Sequence, residues 1–215
     1  MILIIDCGLG NLRNVQKVFD KLGVKTKVSN SIADIEEAKA YVLPGVGAFG
    51  KAMETLKSLG IIECIRKNVL QLKKPILGIC LGMQLLGKES LENGFNQGLN
   101  LIPAVVRKLE INEELKLPHI GWNNIKIKNA SVLLKNLPED PDVYFVHSYH
   151  VLCDDPEMVA ATCNYGQEFT AAIQYNNIFA TQFHPEKSQN YGFTILKNFV
   201  EYINLNKEKG DCSSD

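Results

Sequence analysis

The chain has 215 residues, 46% of them hydrophobic, enough to bury the core of one domain of somewhat above average size. A formal net charge of −1 gives no electrostatic reason to expect a nucleic acid or an anionic membrane as partner. The N-terminus, MILIIDCG, has no basic region ahead of its short apolar run, and no segment reaches the roughly 20 apolar residues that span a bilayer, so a soluble, cytoplasmic protein is expected.

MILIID reads as a buried strand, GNLRNVQKVFDKLG as a helix ended by Gly23, and VKTKVS as the next strand. Val15, Val18, Phe19 and Leu22 recur at helical spacing and give that helix one stripe toward the core. AYVLPG is a third strand stopped by Pro44 and Gly45. The stretch from Ala48 to Lys74 is helical with a break near Gly60. PILGIC is a fourth strand, followed by a helix from Leu81. Strand and helix alternate, the pattern of a mostly parallel sheet with flanking helices, and hence an α/β fold. After Gly94 the character changes. VVRKLEI, WNNIKIK, VYFVHSYHVL, VAATCNY, FTAAIQYN and IFATQFHP read as strands joined by short polar loops, giving a β-rich second half. TILKNFVEYINLN is a closing helix, and the domain is placed at residues 1–203 with a disordered tail over 204–215. The six cysteines are scattered with no CxxC pair, which predicts free thiols and no structural metal site.

The motif that stands out is GICLGMQ. It fits G-x-C-x-G, the cysteine form of a nucleophile elbow, in which Gly78 and Gly82 permit a tight strand-to-helix turn under Cys80. The amides at the start of the following helix then lie beside the sulfur, where they favour negative charge. Read alone, the motif fits an inert cysteine in a packed strand end slightly better than a nucleophile. A nucleophile needs a base, and His184 in QFHPEKS has Glu186 two residues on. In extended chain both side chains point the same way, so the carboxylate can hold one ring nitrogen while the other meets a thiol. His119 sits after a proline in what reads as a turn, and strand alternation accounts for His147 and His150. In LPGVGAF, an amide from Gly45, Val46 or Gly47, with that of Leu81, would form an oxyanion hole. GLGNLR, from Gly8, is half a dinucleotide fingerprint and reads as a simple strand-to-helix turn.

PGVGAFGKAM, GICLGMQLL, PHIGWN, YFVHSYH and QFHPEKS, in that order across residues 1–203, resemble the class I (triad) glutamine amidotransferases. Within them they are most similar to the glutaminase subunits of imidazole glycerol phosphate synthases. The resemblance implies Cys80 as nucleophile on the amide of glutamine, His184 as base and then acid, and Glu186 as its orienter, with a γ-glutamyl thioester hydrolysed to glutamate. It places glutamine contacts at Gln84, Glu92 and the backbone around His147, Ser148 and Tyr149. It implies no cofactor and no metal. It also implies a heterodimer, in which a separate (β/α)8-barrel synthase receives ammonia through a tunnel and makes imidazole glycerol phosphate and AICAR in histidine biosynthesis. Trp122, Asn123 and Lys187 fall near that interface, with Asn11 a further candidate.

Three positions depart from the family pattern: Cys7 and His150, where tyrosine is common, and Gly87, where an aromatic is. They leave the triad untouched but keep open a paralogous subunit feeding a synthase that amidates surface sugars. A stand-alone cysteine hydrolase of related fold and a redox-sensing module are the other readings. The first predicts turnover without a partner. The second has no use for HPE or PGVG.

Overall fold

The computed structural model describes residues 1–211, with side chains through Leu205. The first half alternates as the sequence predicts: β1 (Ile2–Ile5), α1 (Leu12–Lys21), β2 (Thr26–Ser29), α2 (Ile32–Glu37), β3 (Ala40–Gly45), α3 (Phe49–Ser58), α4 (Ile62–Arg66), β4 (Ile76–Cys80) and α5 (Leu81–Leu85). Strands β1, β3 and β4 are buried along their whole length, as a parallel sheet covered on both faces requires. Asn11 caps α1, accepting from the Asn14 amide, and Val15 and Phe19 carry the buried stripe. The long helical stretch breaks at Gly60, whose φ is +67°, and α4 runs on into a π-helical turn over Lys67–Gln71. Helix α2 was absent from the sequence reading; its signal is Ser31, which caps it by accepting from the Asp34 amide at 3.2 Å.

The second half adds β5 (Glu89–Ser90), β6 (Asn96–Gln97), β7 (Ala104–Lys108), β8 (His119–Ile127), β9 (Asp142–His147), β10 (Tyr149–Cys153), β11 (Val159–Tyr165), β12 (Gln167–Tyr175) and β13 (Ile178–Thr181). Among the described residues these build a nine-stranded sheet, β2-β1-β3-β4-β13-β12-β11-β8-β9, and a four-stranded one, β10-β7-β5-β6. The large sheet is parallel from β2 to β13 and antiparallel from β13 to β9. It is a mixed α/β fold with no closed barrel.

Three expectations change. VYFVHSYHVL is two strands, β9 and β10, which part at Ser148 and join different sheets. His119 opens strand β8 and is buried, where a turn was expected. Helix α6 (Gln189–Asp211) begins before Thr194 and runs past the boundary drawn at residues 203 and 204, while residues 212–215 of the expected tail lie outside the described residues. No helix of the described residues is long and apolar enough to cross a membrane.

Candidate active site

Cys80 ends β4 and opens α5 with φ +53° and ψ −108°, a backbone conformation that non-glycine residues adopt only under strain. The elbow depends on Gly82: a Cβ there would lie 1.7 Å from the Leu43 carbonyl oxygen, so β3 and the first turn of α5 meet backbone to backbone. Cys80 is 4% exposed, and its Sγ contacts the Val146 carbonyl at 3.6 Å and the Gln182 amide Nε2 at 3.8 Å. The other described cysteines are free thiols: burial pushes those of Cys7 and Cys64 up, that of Cys153 to about 11 and that of Cys163 to about 12. Cys212 lies outside the described residues.

Strand β13 stops at Thr181, and His184 caps a 3₁₀ turn over Pro185–Lys187. The extended geometry expected for His-Pro-Glu is therefore replaced by a tight turn. It serves the same end, because His184 Nδ1 and Glu186 Oε1 lie 2.8 Å apart, with both side chains buried. Burial opposes a proton on this ring, but Cys80 and Glu186 on its two sides outweigh burial and push His184 up to about 9. His184 Nε2 and Glu186 Oε2 are buried without a hydrogen-bond partner of ordinary geometry. Such atoms carry a cost unless a reacting group uses them.

Register brings the glycine segment beside the cysteine, since β3 and β4 pair with Gly45 opposite Cys80. Gly47 follows at φ +107°, Val46 is exposed, and Leu81 supplies an amide in the first turn of α5. A narrow cleft of about 20 Å³ joins Gly45 and Val46 to His184 and Glu186, with Asn11 and Lys187 on its rim. Gln84 Nε2 donates to the Tyr149 carbonyl (2.9 Å) and to Gln182 Oε1 (3.1 Å). Glu92 Oε2 accepts from the Phe49 amide at 2.7 Å, so its carboxylate sits at the start of α3. His147 is buried and neutral: burial pushes it down to about 3, and its Nδ1 lies 2.9 Å from the Tyr149 carbonyl. Ser148 and Tyr149 lie where β9 passes into β10.

Trp122 and Lys187 meet on Tyr144, whereas Asn123, the next residue of β8, turns to the other face of the sheet, toward His119. The Trp122 and Tyr144 rings meet edge to face at 6.0 Å, and Lys187 Nζ lies 5.4 Å from the Tyr144 centroid. Two participants were missed by the sequence reading. Gln182 was available as the residue two before His184, just past the end of β13, whereas the Val146 carbonyl carries no residue-type signal at all. An acylatable cysteine, an oriented imidazole and convergent amides can together perform acyl transfer with a covalent intermediate.

The chain matches the family model for Glutamine amidotransferase class-I over residues 3–202. It is 50% identical to the imidazole glycerol phosphate synthase subunit HisH of Syntrophotalea carbinolica across 204 residues, 93% of this chain and 98% of that one. To the subunit HisH 1 of Campylobacter jejuni (strain RM1221) it is 47% identical across 200 residues, 93% of this chain and 99% of that one. Among solved structures it resembles a glutamine amidotransferase from Thermotoga maritima, with TM-score 0.61, 19% identity, and 98% of this chain and 84% of that one covered. PurLQS from Thermotoga maritima gives TM-score 0.74 at 17% identity, covering 94% of this chain and 98% of that one. These two are likenesses of fold alone.

Proposed function

The chain belongs to the class-I glutamine amidotransferases, and on that premise we propose that Cys80, His184 and Glu186 hydrolyse glutamine. It is the glutaminase subunit of an imidazole glycerol phosphate synthase, in histidine biosynthesis. The observation that carries the site reading is the 2.8 Å pairing of Glu186 with an imidazole whose other nitrogen is left for Cys80, itself held at φ +53°. Cys80 passes its thiol proton to His184 Nε2 and its sulfur attacks the side-chain amide carbon of glutamine, and the oxyanion meets the Leu81 amide and one from Gly45 to Gly47. A ring that keeps its proton to about pH 9 is ready to give it to the leaving nitrogen, so ammonia departs and a γ-glutamyl thioester remains. Water then attacks the thioester, His184 takes its proton, and glutamate leaves with the thiol restored. Glu186 keeps the ring in register through both steps.

Gln84, Glu92 and the backbone of His147, Ser148 and Tyr149 hold the glutamine, the Glu92 carboxylate offering the charge that an α-ammonium calls for. Asn11, Trp122, Asn123 and Lys187 face the partner, a (β/α)8 barrel that receives the ammonia by a tunnel.

The test is a glutaminase assay with the co-purified synthase. Cys80→Ala at saturating synthase loses about 10³-fold or more in rate. Retention of the wild-type rate would remove the mechanism, and full turnover without any synthase would favour the stand-alone hydrolase.

A further inference from the structure

Three side chains to which the mechanism gives no role, those of Asn123, His119 and His147, form one line that ends on the Tyr149 carbonyl. Asn123 Nδ2 lies 3.4 Å from His119 Nε2, His119 Nδ1 lies 3.1 Å from His147 Nε2, and His147 Nδ1 lies 2.9 Å from the Tyr149 carbonyl. Only one arrangement of protons satisfies it. A carbonyl can only accept, so His147 carries its proton on Nδ1 and accepts at Nε2. His119 must then donate from Nδ1 and accept at Nε2, and Asn123 must turn its NH₂ inward. Asn123 meets that demand from two further directions, its Nδ2 donating to the Asn164 carbonyl at 3.0 Å and its Oδ1 accepting from the Asn124 amide at 2.9 Å. Both rings are neutral, since burial pushes His119 to about 4 and His147 to about 3, so the order of donors persists at neutral pH. His119 is fixed in place by stacking on Tyr165 (4.0 Å) and Phe145 (4.9 Å).

The line ends at the catalytic centre. The Tyr149 carbonyl also accepts from Gln84, which bonds Gln182, whose Nε2 touches Cys80 Sγ; three residues earlier, the Val146 carbonyl touches the same sulfur. The other end, Asn123, is half-buried beside the exposed Trp122.

We propose that His119 is a positioning residue for glutamine turnover: a one-directional hydrogen-bond relay from Asn123 through His119 and His147 sets the main chain of residues 146–149 against Cys80, so docking over Asn123 aligns the site. This rests on the reading of the chain as a glutaminase that is docked through the face of β8. A buried relay with one allowed polarity resists reorientation, because reversing any member sets acceptor against acceptor.

Two measurements test it. ¹⁵N NMR of the wild-type chain is expected to show both His119 and His147 as Nδ1–H tautomers; an Nε2–H tautomer at either ring overturns the relay. In kinetics, His119→Phe keeps the stacking and removes both hydrogen bonds. Its synthase-stimulated kcat is expected to fall about 10-fold at unchanged synthase affinity, with His119→Gln, which can both accept and donate, recovering most of the loss. A folded His119→Phe that is stimulated as strongly as wild type overturns the proposal while leaving the glutaminase reading intact. Absence of wild-type glutaminase activity with any synthase would instead fail that reading, and the tautomers would still decide the relay.

Discussion

Glu186 does not contact the atom that reacts, yet the protonation of the site turns on it. Glu186→Gln removes one of the two groups that hold His184 up at about 9, so the ring falls back toward 6.5. Because the folded state binds this proton more tightly than the unfolded chain, its contribution to stability is complete below 6.5 and is lost as pH rises through about 9. Denaturant unfolding is therefore expected to show the variant weaker than wild type at about pH 6, with the gap closing by about pH 10, and glutaminase kcat down about 10²-fold or more. A gap independent of pH would contradict the pairing. At this scale much was legible: Gly78, Gly82 and the spacing of His184 to Glu186 are constraints of residue type, and residue types are what a sequence displays. The Val146 carbonyl and the His119–His147 contact were not legible, because a carbonyl has no letter and the two rings meet only through the pairing of β8 with β9.

Among the elements, the hairpin from β12 to β13 is tied to the helical layer by one side chain. Asn177 Nδ2 donates to the carbonyls of Val69 (3.0 Å) and Lys74 (2.9 Å), joining the turn to the π-helical segment and to the approach of β4. Asn177→Ala leaves two carbonyls short of a donor and is expected to cost about 2–3 kcal/mol, lowering Tm by about 5–10 °C. The glutaminase rate with synthase should not change, since Asn177 adjoins Ile76 and Cys80 ends the same strand; calorimetry beside the rate assay checks both. The strand and helix alternation of the first half was readable from periodicity. The division at Ser148 was not: β9 and β10 continue one apolar pattern, and which sheet each joins is decided by partners far away in sequence, Trp122 opposite Tyr144 and Val106 opposite Val151. Helix α2 escaped because its six residues are too few to show a period, although its serine cap was in view.

The whole molecule brings its two halves together at the site. From β4 to β9 the sheet order takes five steps, about 24 Å in a flat sheet at about 4.8 Å per strand, yet the Val146 carbonyl of β9 lies 3.6 Å from Cys80 Sγ. The sheet curls until its last strand returns over the end of β4. It is fastened there by the His184 amide donating to the Tyr144 carbonyl (2.9 Å) and by Ser188 Oγ, which accepts from the Tyr144 amide (3.0 Å) and donates to the His184 carbonyl (2.7 Å). Ser188→Ala is expected to cost about 2 kcal/mol, speed hydrogen exchange at the Tyr144 amide, and lower synthase-stimulated kcat about 10-fold. Unaltered exchange at Tyr144 would show that the fastening lies elsewhere. The fastening also bears on how the protein behaves in a crowded solution. Strand β9 is the last of the large sheet and pairs on one side only, with β8; the Tyr144 amide and carbonyl on its open side are already occupied by the turn that carries His184. An open strand edge is a template for pairing with another chain, and here the catalytic turn covers part of it. Lesions in that turn would then uncover an adhesive edge as well as stop the chemistry, coupling loss of activity to self-association.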